Sequence, residues 1–187
     1  MQEHPLIELY VTVGDDRQNA AIEQLLASVN LDEVVHRTLQ AAGITQQVML
    51  TLLITDDEGI REMNQQYREQ DKPTDVLSFP LLDAPLAQAP TDQLWPPRED
   101  DEHPANGGIP EFVAPPSEVL NLGDIMMSWP TIERQAVTAG HSSTYELLYL
   151  LSHGVLHLIG YDDQTEAGYQ AMISIQQTVL RTLGRQA

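Results

Sequence analysis

Residues 144–163 read TYELLYLLSHGVLHLIGYDD. Up to Gly160 this run carries Leu147, Leu148, Leu150, Leu151, Val155, Leu156, Leu158 and Ile159, so a helix built from it is apolar on almost every face. Such a helix is stable only when neighbours cover it all round, which predicts a central, buried element. Yet His153 and His157 lie inside it, four residues and about one turn apart on a common face. This is the spacing by which a helix offers two imidazole nitrogens to one metal ion. Such pairs also arise by chance, but two unpartnered imidazoles in so apolar a helix would cost on the order of 1–3 kcal/mol each. That penalty favours a bound cation.

Beyond Gly160, where the helix should stop, the chain turns through Tyr161 to Asp162 and Asp163. With Asp163 as third ligand, the site would have three protein ligands and an open position, the catalytic form of a zinc site. Alternatively, Asp163 caps the helix, and Asp162 or a water completes the set. A zinc peptidase is excluded, because its motif needs a glutamate directly after the first histidine and the chain has Gly154 there. The 187 residues include no cysteine, so disulfides and thiolate ligands are excluded and any metal must sit on nitrogen and oxygen.

Working outward, four stretches have the length and branched apolar content of strands: Leu6 to Val13, Val48 to Ile54, Val76 to Leu81 and Leu122 to Ser128. Helix starts are marked by pairs resembling capping boxes, Asn30 with Glu33, Thr55 with Glu58 and Ser143 with Glu146. Gly43, Gly140 and Gly160 stand where helices should end, and a last helix from about Glu166 to Leu183 carries Met172, Ile175, Val179 and Leu183 on one stripe. The expected fold is α+β: a small mixed four-stranded sheet packed with about five helices, in one domain spanning residues 1–187. Residues 83–118 break the pattern, with eight of the twelve prolines, eight acids and one base, and are expected to form a poorly ordered surface insertion. It is either a docking arm or a solubilising loop.

Twenty-eight acids against nine bases give a net charge of −19, which opposes binding to nucleic acid or anionic membrane. The start of the chain has neither a basic leader nor a long apolar core, and no stretch reaches the roughly 18 apolar residues of a membrane span. A cytoplasmic location without membrane association is expected.

HGVLHLIGYDD (153–163) closely resembles the signature of the YbeY family, bacterial endoribonucleases of ribosomal RNA maturation, whose pattern reads His-Gly-x-Leu-His-Leu-x-Gly-Tyr-Asp-His. MNQQYREQDKPTDVLSFP (63–80), LGDIMMS (122–128) and GHSSTYELLYLLSHG (140–154) resemble further stretches of the family in the same order. The resemblance implies a single-strand-specific, metal-dependent endoribonuclease acting in ribosomal RNA processing, including 16S 3′ end maturation, and in ribosome quality control. It also implies one zinc ion per chain on His153, His157 and the residue at position 163. There the family's histidine is replaced by Asp163, which zinc accepts, but which adds a negative charge and opens the site to a harder divalent ion.

Arg68 matches the family's functional arginine, a planar cation suited to gripping phosphate. Asp75 is expected either to bond the far nitrogen of a ligating histidine or to cap the neighbouring turn; Ser78 adds a polar group nearby. His141 either touches substrate or merely follows the Gly140 stop. Implied partners are ribosomal RNA and a ribosomal particle or protein, and the acidity predicts weak binding to single-stranded RNA alone. The rival expectation is a non-catalytic ribosome assembly factor with a structural metal closed by a fourth ligand such as Asp162.

Overall fold

In the central strand, Leu50, Leu52 and Ile54 are fully enclosed while Met49, Thr51 and Leu53 between them are half-buried, the alternation of a strand with one face on a core. The computed structural model describes residues 5–97 and 119–184. Its elements run β1 (Leu6–Thr12), α1 (Asp16–Ala27), α2 (Leu31–Ala41), β2 (Val48–Thr55), α3 (Asp57–Arg68), β3 (Val76–Pro80), β4 (Leu120–Ser128), α4 (Trp129–Ala139), α5 (Ser143–Ile159) and α6 (Glu166–Thr182), with a short 3-10 turn at Thr91–Gln93. The sheet order is β1-β2-β4-β3. The first three strands are parallel and β3 is antiparallel to β4.

This is the expected α+β fold with a mixed four-stranded sheet. The helices among the described residues number six; α1 is the one the sequence reading did not place, and Ile22 and Leu26 are its sole buried side chains. Between β2 and β4 the register shifts from Met49↔Asn121 to Thr51↔Asp124. The extra residue moves the inward positions of β4 from Leu122 to Ile125 and Met127, so both ends of a nine-residue strand keep their apolar side chains on the core.

The central helix is α5, surrounded by α2, α4, α6, β3 and β4. A Cβ at Gly154 would lie 2.9–3.2 Å from the Ile125 side chain, so only a glycine lets α5 come this close to β4. On the other face of the sheet α3 buries Ile60, sets Met63 beside Tyr10, Leu53 and Met126, and packs Tyr67 edge-on against Phe79.

Two of the predicted caps move by one residue. Asn30 caps α2 as read, but α3 is capped by Asp56, since Thr55 is still in β2, and α5 by Ser142. Gly140 and Gly160 end α4 and α5 as expected.

The proline-rich stretch departs further from expectation. Residues 83–97 lie against the C-terminal end of α5, with Ala87 buried and Leu94 bridged to Tyr161; residues 98–118 lie outside the described residues. A segment without helix or strand period is held here by bonds from its own backbone N–H groups to carbonyls that the helix end leaves unpaired.

One polar contact lies deep in the core. Thr38 donates its hydroxyl to the Val34 carbonyl (2.7 Å) and accepts from Ser152 at 2.9 Å, joining α2 to α5. Thr38→Val should leave the Ser152 hydroxyl without this acceptor and cost about 1–3 kcal/mol. Adding Ser152→Ala removes the orphaned group, so denaturant midpoints of the double variant should show less destabilisation than the two singles summed. Strict additivity would mean that the two hydroxyls do not interact.

Candidate metal site and cleft

His153 and His157 project from α5 at the β3 edge of the sheet, and the turn after Gly160 returns Asp163 to them. The two Nε2 atoms are 3.0 Å apart, and Asp163 Oδ2 lies 3.3 Å from His157 Nε2 and 3.8 Å from His153 Nε2. Among the described residues this is the one group of three such side chains whose ligand atoms converge closely enough to hold a metal ion.

The far ring nitrogens fix what those atoms are. His157 Nδ1 faces the Tyr161 carbonyl at 3.0 Å, and a carbonyl only accepts, so Nδ1 carries the proton. Gln176 donates its amide N–H to the Tyr149 carbonyl (3.2 Å), which turns its Oε1 towards His153 Nδ1 at 3.4 Å and places a proton there too. With both Nδ1 atoms donating outward, the two Nε2 atoms face each other and a carboxylate. The three atoms converge in this way only with positive charge among them, supplied either by a proton on Nε2 or by a metal ion.

The donor set fits a cation. A tetrahedral ion with arms of about 2.1 Å has ligand–ligand edges of about 3.4 Å, and the three separations bracket that value. Outward bonds from ligating histidines to a carbonyl or amide are the usual means of fixing their tautomer.

Burial, with the neighbouring His157 adding to it, holds His153 below its ordinary value of 6.5, which favours the ligating neutral form. Hydrogen bonding with His157 is the main reason that Asp163 stays well below the ordinary carboxylate value, against the opposing effect of its burial.

Around these three residues is an open, mainly polar cleft of about 370 Å³, also lined by Arg68, Thr74, Asp75, Val76, Ser78, Asp162 and Gln164. Arg68 comes from the last turn of α3 and makes no hydrogen bond or ion pair among the described residues. It is Arg61, rather than Arg68, that pairs with Asp71, and Arg61 also holds Glu58. The end of α3 is set by Glu69 in the left-handed conformation (φ 56°) and by Asn64, whose side-chain amide donates to the Lys72 carbonyl at 2.8 Å. Its start is tied to β4 and α4 by Asp57, which accepts from Ser128, Thr131 and Arg134. Those bonds outweigh the desolvation that would raise the Asp57 carboxyl, and leave it below the ordinary range.

Of the residues singled out from sequence, the cleft brings together Arg68, Asp75, Ser78, His153, His157 and Asp163. Asp75 accepts from its own neighbours, Val76 N–H at 2.8 Å and the Thr74 hydroxyl at 3.3 Å, and these side-chain bonds are those of a turn cap. The Ser78 hydroxyl reaches the Gly154 carbonyl at 3.4 Å. His141 is elsewhere: ten residues of helix separate Ser143 from His153, about 15 Å, and His141 pairs with Glu146 and packs on Tyr145. Sequence reading missed Gln176. A buried glutamine on an apolar stripe of α6 was the available signal, but its target lies on another helix.

Fold and cleft together define an α+β protein with a two-histidine, one-carboxylate candidate metal site facing an arginine that has no partner among the described residues. The model of the endoribonuclease YbeY family matches residues 13–184, and the chain belongs to that family, a group of nuclease hydrolases. Among its relatives, an endoribonuclease YbeY of Dehalococcoides mccartyi is 37% identical over 160 residues, covering 85% of this chain and 89% of the relative. That of Roseiflexus castenholzii is 37% identical over 178 residues, covering 95% and 94%. The solution structure of a Thermotoga maritima protein aligns over 95% of this chain and 91% of its own, with a TM-score of 0.48 and 21% identity.

Metal affinity should fall as the pH drops through the pKa of His153, which burial holds below 6.5, by up to about tenfold per pH unit for that one proton. Asp163, held below its ordinary 3.8, should add nothing to that fall above pH 4. Titrations against a competing chelator between pH 4 and 8 measure the slope; a flat profile would remove His153 from the ligand set.

Proposed function

We propose that the protein is a metal-dependent endoribonuclease of single-stranded RNA that acts in the cytoplasm in ribosomal RNA processing, including 16S 3′ end maturation, and in ribosome quality control. The observation that carries this reading is Arg68, without a partner among the described residues, in the same cleft as His153, His157 and Asp163. A guanidinium so placed can grip a phosphate through two parallel N–H bonds and neutralise charge that grows as the phosphodiester is attacked.

His153, His157 and Asp163 would hold one divalent ion, zinc by the donor chemistry, with a harder ion admitted by the carboxylate. Bound there, such an ion supplies Lewis acidity, lowering the pKa of water and polarising a phosphate oxygen. Three converging donors, without a fourth among the described residues, support a catalytic rather than a purely structural ion.

With a net charge of −19 the protein has few bases with which to displace counterions, so a ribosomal particle or ribosomal protein is proposed to deliver the substrate.

The test is cleavage of end-labelled single-stranded RNA, free or within ribosomal particles, by metal-stripped and zinc-loaded protein. Cleavage should require metal and should drop by 100-fold or more, about 3 kcal/mol, in folded Arg68→Ala and His157→Ala variants. It should be faster on particles than on free RNA. A 2′,3′-cyclic phosphate end would identify the RNA's own 2′-hydroxyl as nucleophile, and its absence would identify water. Metal-independent cleavage, or none above the His157→Ala background on either substrate, would refute the nuclease reading, the second result favouring the assembly-factor alternative.

A further inference from the structure

The last carbonyls of a helix have no partners within it, and those of α5 emerge beside the candidate metal site. Residues 83–97 cap them from outside. Leu86 and Ala87 donate their N–H groups to the Ile159 carbonyl at 2.8 and 3.0 Å, and Trp95 N–H donates to that of Gly160 at 2.8 Å. The Trp95 indole N–H then reaches the carbonyl of His157 itself at 2.9 Å. In the other direction Asp162 N–H donates to the Gln93 carbonyl at 3.0 Å. Gly160 adopts φ 128°, and a Cβ there would lie 2.5 Å from that of Pro85, so the segment sits directly on the turn.

His157 is thus held at both ends, its ring by the Tyr161 carbonyl and its backbone by Trp95. The turn carrying Asp163 is held between α5 and residues 93–95. We propose that residues 83–97 are a strap that positions the metal site, with Trp95 setting His157 and the strap backbone setting the Asp163 turn. This rests on reading His153, His157 and Asp163 as ligands. Trp95 touches no reacting atom; it is a positioning residue that acts through the His157 carbonyl. The physical effect is preorganisation, because ligands carried by a helix and by a loose turn would have to be ordered by the ion at the expense of its affinity. Groups just outside a ligand shell commonly change metal affinity 10–100-fold.

The experiment is titration of the full chain with Co2+, following its visible d–d absorption and competing with a chelator. Trp95→Phe, which keeps a ring but loses the donor, should bind about tenfold or more weakly and shift the d–d bands. A role confined to stability would lower the thermal midpoint and leave affinity and bands alone, and that result overturns the strap. Wild-type protein that takes up no stoichiometric Co2+ would overturn the ligand reading and the strap with it, so the two failures are distinct. Should Trp95→Phe not fold, amide exchange of the wild type decides. Co2+ should slow exchange at Trp95 and Asp162 relative to α1, and unchanged rates there would refute the strap.

Discussion

A seventeen-residue helix with apolar side chains on nearly every face cannot leave any long side exposed to water, and the burial of α5 is the constraint on which the rest of the structure depends. One sheet face supplies β3 and β4 beneath it, while α2, α4 and α6 close the remaining sides. The bulge in β4 keeps apolar side chains directed at the core along the whole strand, and Gly154 permits the approach at Ile125. Among the described residues, polar side chains enter this core only when bonded, as Thr38 and Ser152 are to each other.

The same burial makes the cleft possible. A helix enclosed on all sides holds its side chains firmly, and where it meets the edge at β3 it presents two imidazoles whose outward nitrogens are committed to Tyr161 and Gln176. Those outward bonds turn the two Nε2 atoms inward, where Asp163 adds a carboxylate. The resulting knot of negative potential lies near the C-terminal end of α5, where the helix dipole also favours a cation. In the same cleft Arg68 is the opposite charge, left without an ion pair among the described residues, while the neighbouring Arg61 is neutralised by Glu58 and Asp71. On an acidic protein, the placing of one such cation matters more than the total count of bases.

Much of this was legible in the residues. The periodicity of β2, the apolar run of α5 and the glycine stops located most elements, and the spacing of His153, His157 and Asp163 located the convergent group, because both depend on contacts between residues close in sequence. Cap positions slipped by one residue at Thr55 and Ser143, since two adjacent short polar side chains are equally good caps until the backbone selects one. The α1 helix was obscured because its apolar side is two residues wide. His141 looked available and is instead paired with Glu146, which only the folded start of α5 brings to it.

By itself, then, the sequence determined that a buried helix carries two imidazoles one turn apart, that acids follow at its end and that an arginine stands before β3, since side-chain period and chain order are local properties. Only the tertiary structure decided that Arg68 faces those imidazoles from across the sheet edge, that Gln176 of another helix orients one of them, and that a proline-rich segment packs on the end of α5. Each of these joins positions from 23 to 89 residues apart in the chain, and the free energy that selects such a pairing comes from burial and hydrogen bonding across the whole core, which no short stretch of residues contains.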